Sequence, residues 1–133
     1  MSVCTQSIER DQALRAADEL MRTHHIRHLP VLDHGVLVGV VTDRDLRFFE
    51  SLRDVDTARV KVEEAMTPEP FFVAPDASVR DVAKRMSEHK LGCAVVMDGG
   101  NIVGIFTTTD ALRALVDVLD DAQPAPSSRR QIV

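Results

Sequence analysis

Displaced by 65 residues, the chain matches itself without a gap. IRHLPVLDHGVLVGVVTDRDL at 26–46 falls on LGCAVVMDGGNIVGIFTTTDA at 91–111. Identities include Asp11/Asp76, Arg15/Arg80, Met21/Met86, His24/His89, Val31/Val96 and Asp33/Asp98. They continue through Gly35/Gly100, Val38/Val103, Gly39/Gly104, Thr42/Thr107 and Asp45/Asp110. These are eleven matches over the 36 positions from 11 to 46, where unrelated segments of ordinary composition share about two. A unit that recurs only twice is not a long solenoid. It implies two copies of one supersecondary unit packed against each other.

Both copies have the same local grammar. Asp11 and Asp76 are candidate helix N-caps, each followed by an apolar stripe at helical spacing: Leu14, Ala17, Leu20 and Met21, then Val79, Val82, Ala83 and Met86. His24-His25 and His89-Lys90 bring cations to the negative ends of those helices. Extended runs follow at Leu29–Leu32 and Val36–Thr42, and again at Cys93–Met97 and Ile102–Thr107. Asp33-His34-Gly35 and Asp98-Gly99-Gly100-Asn101 carry hairpin-turn chemistry. Closing helices are predicted near 44–53 and 110–120, and short opening strands at 4–8 and 71–73. Each half reads β-α-β-β-α, giving an α/β (α+β) fold of two units packed sheet to sheet about a pseudo-twofold. The predicted division is repeat 1 at 1–53, a linker at 54–65, repeat 2 at 66–120 and a disordered tail at 121–133. A unit of roughly 60 residues buries too little surface to be more than marginal alone.

Composition removes several functional classes. Sixteen basic against 21 acidic residues give a formal charge of −5, with five Phe and no Trp or Tyr. Neither the basic excess nor the aromatic platforms of a nucleic-acid binder are present. The longest mainly apolar run, 36–41, is far short of the roughly 20 residues that span a bilayer. The N-terminal stretch has no basic start and apolar core of a secretory signal, and two cysteines make no disulfide framework; both point to the cytoplasm. No GxSxG, HExxH, CxxC or Walker loop occurs, so no catalytic residue is assigned and no enzyme is expected. His24, His25, His28 and His34 with Arg27 form a nitrogen-rich patch. Their spacing across a helix end, a strand and a turn is poor for zinc or nickel, so no metal site is assigned.

HLPVLDHGVLVGVVTDRDL, the MTP at 66–68 and LGCAVVMDGGNIVGIFTTTDAL together resemble a tandem pair of CBS (cystathionine-β-synthase) domains, a Bateman module, over residues 3–120. The hairpin V-V-D-x-G and the G-hydrophobic-hydrophobic-Thr-x-x-Asp motif carry the likeness, the latter twice. The resemblance implies a regulatory module that binds an adenosine-containing ligand (AMP, ADP, ATP or S-adenosylmethionine) between its repeats. It also implies a homodimer and an unidentified regulated protein. The alternative is a ligand-free interaction module with degenerate pockets.

On that resemblance, Thr42 and Asp45 in one repeat, and Thr107 and Asp110 in the other, would meet ribose and phosphate. Val40 and Ile105 would pack on the base. The far wall of the Asp45 site would come from 68–71, including Phe71, and from Leu91, Gly92 and Cys93. The far wall of the Asp110 site would come from 5–7 and from Ile26, Arg27 and His28. From spacing alone, either aspartate reads more readily as a helix N-cap than as a ligand contact. Phe48, Phe49, Leu52, Leu112, Leu115, Val116 and Leu119 exceed what one small core needs, and a second copy of the chain would cover them.

Overall fold

The 65-residue period of the sequence recurs as a period of backbone. In the computed structural model, residues 2–3 and 6–122 are described. The first copy contains β2 (Ile8–Glu9), α1 (Leu14–His24), β3 (His28–Asp33), β4 (Val36–Thr42) and α2 (Asp43–Ser51). The second contains β6 (Phe72–Val73), α4 (Val79–His89), β7 (Cys93–Asp98), β8 (Asn101–Thr107) and α5 (Thr108–Ala122). Two further strands, β1 (Ser2–Val3) and β5 (Thr67–Pro68), and a short helix α3 (Val62–Ala65) complete the chain. The fold is mixed α+β with two small sheets. Of the tail expected to be disordered, 121–122 belong to α5, and 123–133 lie outside the described residues, as do positions 4 and 5 of the expected opening strand.

Local chemistry explains the shared elements. The two-residue turns His34-Gly35 and Gly99-Gly100 hold φ values of 50° and 85°, and 58° and 84°. These are the left-handed pairs of a type I′ hairpin, whose twist matches that of the strands it joins. Both hairpins slip register at equivalent points, between Val31 and Leu32 and between Val96 and Met97. Helices α1 and α4 end on His25 and Lys90 in the left-handed region. Ile26 and Leu91 then donate back to Met21 O (3.0 Å) and Met86 O (2.8 Å). That six-to-one bond reverses the chain into β3 and β7.

The expected N-caps are displaced. Asp11 and Asp76 cap nothing: the caps are Ala13, without a side-chain bond, and Ser78, whose hydroxyl accepts from Asp81 N at 3.3 Å. The start of α1 is instead held from outside, because Leu14 N–H donates to Val60 O at 2.7 Å and Val62 N–H to Gln12 O at 2.8 Å. Residues within the stretch read as a linker thus stitch onto the first repeat. Val62 is fully buried in its core, and Arg10 bonds Glu63 at 2.5 Å.

The strand order is β2-β3-β4-β5 in one sheet and β1-β8-β7-β6 in the other. Strands β2 and β3, like β6 and β7, are parallel and joined through a helix, while the hairpins are antiparallel. Each sheet borrows its fourth strand from the stretch that precedes the other repeat. Thr67 and Pro68 pair with Val40 and Gly39, and Ser2 and Val3 pair with Ile105 and Gly104. This reciprocal exchange obeys the 65-residue shift and ties the halves together through backbone bonds.

Helix-side cores lie under each sheet. The first is built from Ile8, Leu14, Ala17, Met21, Leu29, Val31, Val41, Leu46 and Val62, the second from Val82, Met86, Ala94 and Phe106. Pro30, Val40, Val95 and Ile105 are buried as well. They alternate with the helix-side residues, so both faces of the central hairpins are covered. Close approach to the borrowed strand explains Gly39. A Cβ there would lie 2.5 Å from Met66 Sδ and 2.8 Å from Thr67 O. The sulfur can swing aside, but the carbonyl belongs to β5 and cannot. Gly39→Ala is expected to cost about 1–3 kcal/mol by overpacking, read as a lower urea midpoint at unchanged slope.

Candidate functional site

Strand β4 enters α2 through Thr42, and β8 enters α5 through Thr107. At both junctions the threonine and the aspartate three residues on form reciprocal bonds. Thr42 N–H donates to Asp45 Oδ2 at 2.9 Å, and Asp45 N–H donates to Thr42 Oγ1 at 3.3 Å. Thr107 and Asp110 repeat this at 2.9 and 3.2 Å. Each threonine hydroxyl also donates to the same Oδ2, at 3.0 and 3.1 Å. These are capping boxes with Asp in place of the usual Glu. Capping is therefore a real duty of both aspartates. The threonine N–H and O–H bonds all fall on Oδ2, one of the two oxygens of each carboxylate.

A cleft of about 700 Å³ opens beside Asp110, within the size range of small-molecule sites. It is lined by both repeats. Gln6, His24, His25, Ile26, Arg27 and His28 come from the first. Gly92, Ile105, Thr107, Thr108, Thr109, Asp110 and Arg113 come from the second. Helix-start bonds position the walls: Asp43 N–H donates to Arg27 O at 3.0 Å, and Thr108 N–H donates to Gly92 O at 3.1 Å. The Thr108 hydroxyl adds a bond to Gly92 O at 3.2 Å. Asp110 is buried, only 8% exposed, and its Oδ1 lies 3.9 Å from Arg113.

His28 is the inner basic residue. It opposes Thr42 across the hairpin, and its Nε2 lies 3.7 Å from where a Gly92 Cβ would stand. Burial pushes its imidazole below the ordinary histidine value, against the opposing pull of Asp43, Asp110 and Asp45 and with help from Arg27. The folded state therefore favours neutral His28. As pH falls below about 6.5 the unfolded chain takes up this proton first, so folding stability drops with pH. His28→Gln is expected to flatten that dependence, checked by melting temperatures of both proteins at pH 7.5 and 5.5. Burial raises the Cys93 thiol to about 11, which makes it a packing group rather than a reactive thiolate.

The structure gathers some expected residues and separates others. Asp110, Thr107, Ile105, Arg27 and His28 line one cleft. Gly92 was expected opposite Asp45 but lines the Asp110 cleft, because Thr108 pins its carbonyl there. Asp45, Thr42, Val40 and Cys93 occupy the equivalent positions of the other half. Phe71 and Leu91 pack against the second core, and Arg85 lies 5.2 Å over the Phe71 ring. Of the 5–7 wall, Gln6 lines the cleft and position 5 lies outside the described residues. Sequence reasoning missed Arg113 and Thr109; the legible signal for Arg113 was its place one helical turn after Asp110. Among the described residues, no three of His, Cys, Asp or Glu converge as a metal-holding group, and no helix is long and apolar enough to cross a membrane.

Comparison with known proteins is consistent across sequence and structure. The sequence profile of the CBS domain matches twice, at residues 5–51 and 62–117. The CBS domain-containing protein YhcV of Bacillus subtilis is 29% identical over 110 residues, covering 83% of this chain and 78% of YhcV. Inosine-5'-monophosphate dehydrogenase of Bifidobacterium longum is 34% identical over 110 residues, yet the match covers only 20% of that enzyme. The crystal structure of CBSX2 in complex with AMP superposes with a TM-score of 0.71 at 28% identity, covering 85% of this chain and 89% of CBSX2. The CBS domain pair of MJ0100, in complex with 5-methylthioadenosine and S-adenosyl-L-methionine, gives 0.73 at 27% identity over 86% and 91% of the two chains. With two matched copies on this exchanged-strand fold, the chain belongs to the CBS-domain family and is a tandem pair of such domains.

Proposed function

We propose that this protein is a cytoplasmic, non-catalytic regulatory module that binds AMP, ADP, ATP or S-adenosylmethionine in the cleft between its repeats. The observation that carries the reading is the cleft beside Asp110, lined by both repeats and by the start of a 15-residue helix. Ile105 supplies an apolar wall for the base. Asp110 accepts from the paired ribose hydroxyls while it caps α5. The positive end of the α5 dipole at the cleft favours a phosphate, with Arg27 and His28 opposite. Val40, Thr42 and Asp45, with Leu91, Cys93 and Phe71 beyond, form the equivalent half-site.

Calorimetric titration with AMP, ATP and S-adenosylmethionine tests this. A micromolar dissociation constant, about 7–8 kcal/mol, is expected for at least one of them. The absence of heat and of any thermal shift at millimolar concentration would remove the reading. A ligand touching both repeats favours one angle between them, which is how occupancy would reach a regulated protein.

A specific observation also supports self-association. Leu112, Leu115, Val116 and Leu119 follow helical spacing along α5 and are 58, 51, 54 and 37% exposed; Phe48 on α2 and Leu52, just past its end, are 59 and 39% exposed. Such an apolar stripe marks an interface more often than a bare surface. A homodimer through α2 and α5 is proposed. Light scattering is expected to give twice the mass of one chain, and Leu115→Glu to halve it; a wild-type monomer at high micromolar concentration would refute the dimer.

A further inference from the structure

The likeness between the repeats breaks at one place, the start of the first helix of each. In the first repeat the chain that follows α2 doubles back over the start of α1. Leu14 N–H donates to Val60 O at 2.7 Å and Arg15 N–H to Thr57 O at 3.1 Å; Val62 and Glu63 N–H donate to Gln12 O and Arg10 O at 2.8 and 3.0 Å. Leu14 and Val62 are both 0% exposed. In the second repeat Val79 stands at the position of Leu14 and is 51% exposed. Every residue from 74 to 81 is exposed, whereas across 9–16 only Asp11, Gln12 and Arg15 are. Among the described residues, no backbone bond reaches the start of α4 from a distant segment.

Residues 123–133 follow α5 as 52–62 follow α2, and the two stretches share a plan in sequence. Eleven residues separate Ser51, the end of α2, from Val62, and eleven separate Ala122, the end of α5, from Val133. Counted this way, Thr57, Arg59 and Val62 fall on Ser128, Arg130 and Val133. Pro124 and Pro126 fall on Arg53 and Val55, which contribute none of the four bonds to α1, so their missing N–H groups remove none of them. Helix α5 has 15 residues against nine in α2, which carries its end about 9 Å farther out. An extended run of eleven residues spans up to about 36 Å and absorbs that difference. Charge agrees as well. Asp76 and Asp81 flank Val79 in sequence, and no cation among the described residues lies within 4.0 Å of Asp76. The segment brings Arg129 and Arg130.

We infer that residues 127–133 of this chain dock on the bare start of α4, with Val133 covering Val79 and Arg129 or Arg130 beside Asp76. The segment then completes the second repeat as 57–63 complete the first. One valine and its surroundings fall far short of the roughly 800 Å² per partner that a separate chain needs for a stable interface. A tethered segment faces the same surface at an effective concentration of about millimolar, so a small contact suffices to hold it.

Hydrogen exchange tests this on the full chain, on a chain lacking 123–133, and on Val133→Asp and Val79→Ser. The amides of 79–82 are expected to exchange about tenfold faster in all three variants, a modest part of what burying one valine contributes. The amides of 14–17 should not change, which also shows that each variant remains folded. Val79→Ser combined with the deletion should add nothing to either alone, because both remove one contact. Exchange at 79–82 that is the same with and without 123–133 would overturn the docking. Protection that survives the deletion and rises with protein concentration would overturn it too, and assign the face to a second copy of the chain.

Discussion

Phe106→Ala is expected to destabilise the protein by about 3–5 kcal/mol, the usual cost of deleting a buried aromatic ring. Among the described residues the second core has four buried members, of which Phe106 is the largest, at 7% exposure. Little around it can collapse into the space. Its cross-strand partner is Ala94; in the first repeat the same two positions hold Val41 and Leu29, also paired. Each repeat therefore fills one strand pair with one larger and one smaller side chain, and the order is reversed between repeats. Phe106→Val should open a cavity, and Ala94→Leu should overpack. The double variant restores the volume arrangement of the first repeat and is expected to recover at least half of the summed loss. Urea denaturation of the three variants measures this. Additive losses would show that the pair is not a shared volume.

Asp110→Ala is expected to weaken AMP binding by about ten- to a few-hundredfold, from a charge-assisted contribution of about 1.5–3 kcal/mol. It should also cost about 1 kcal/mol of stability, because the capping bonds to Thr107 go with it. Ser78→Ala separates the two effects. Ser78 caps α4 with a bond to Asp81 N at 3.3 Å and does not line the cleft. Its loss should produce a similar drop in melting temperature with AMP affinity within about twofold of wild type. If Asp110→Ala shifts only the melting temperature, Asp110 is a cap and nothing more, and the interaction-module reading replaces the ligand-binding one.

The cleft depends on geometry that short strands create. β1 and β5 are two residues each, too short to show any period in the sequence, and each pairs with the sheet of the other repeat. That pairing holds β4 and β8 side on to the opposite half and so determines which residues wall the site. Gly39 illustrates the dependence. Its identity is explained by Met66 and Thr67, some 27 positions away, and nothing in its own segment shows this. The displaced caps have a similar origin: Asp11 had the right chemistry, but bonds from Val60 and Val62 fix the helix start at Leu14.

By itself, the sequence determined the duplicated unit, its hairpin turns, the Thr-Asp junctions and the family, because each is written in residues near one another or in the constant shift between copies. Only the tertiary structure decided which sheet receives each edge strand. It also decided that Gly92 faces the Asp110 side and that Arg27 and Arg113, far apart in sequence, line the same cleft. Those outcomes come from contacts between distant segments, where backbone pairing and side-chain volume, rather than local propensity, set the lowest free energy.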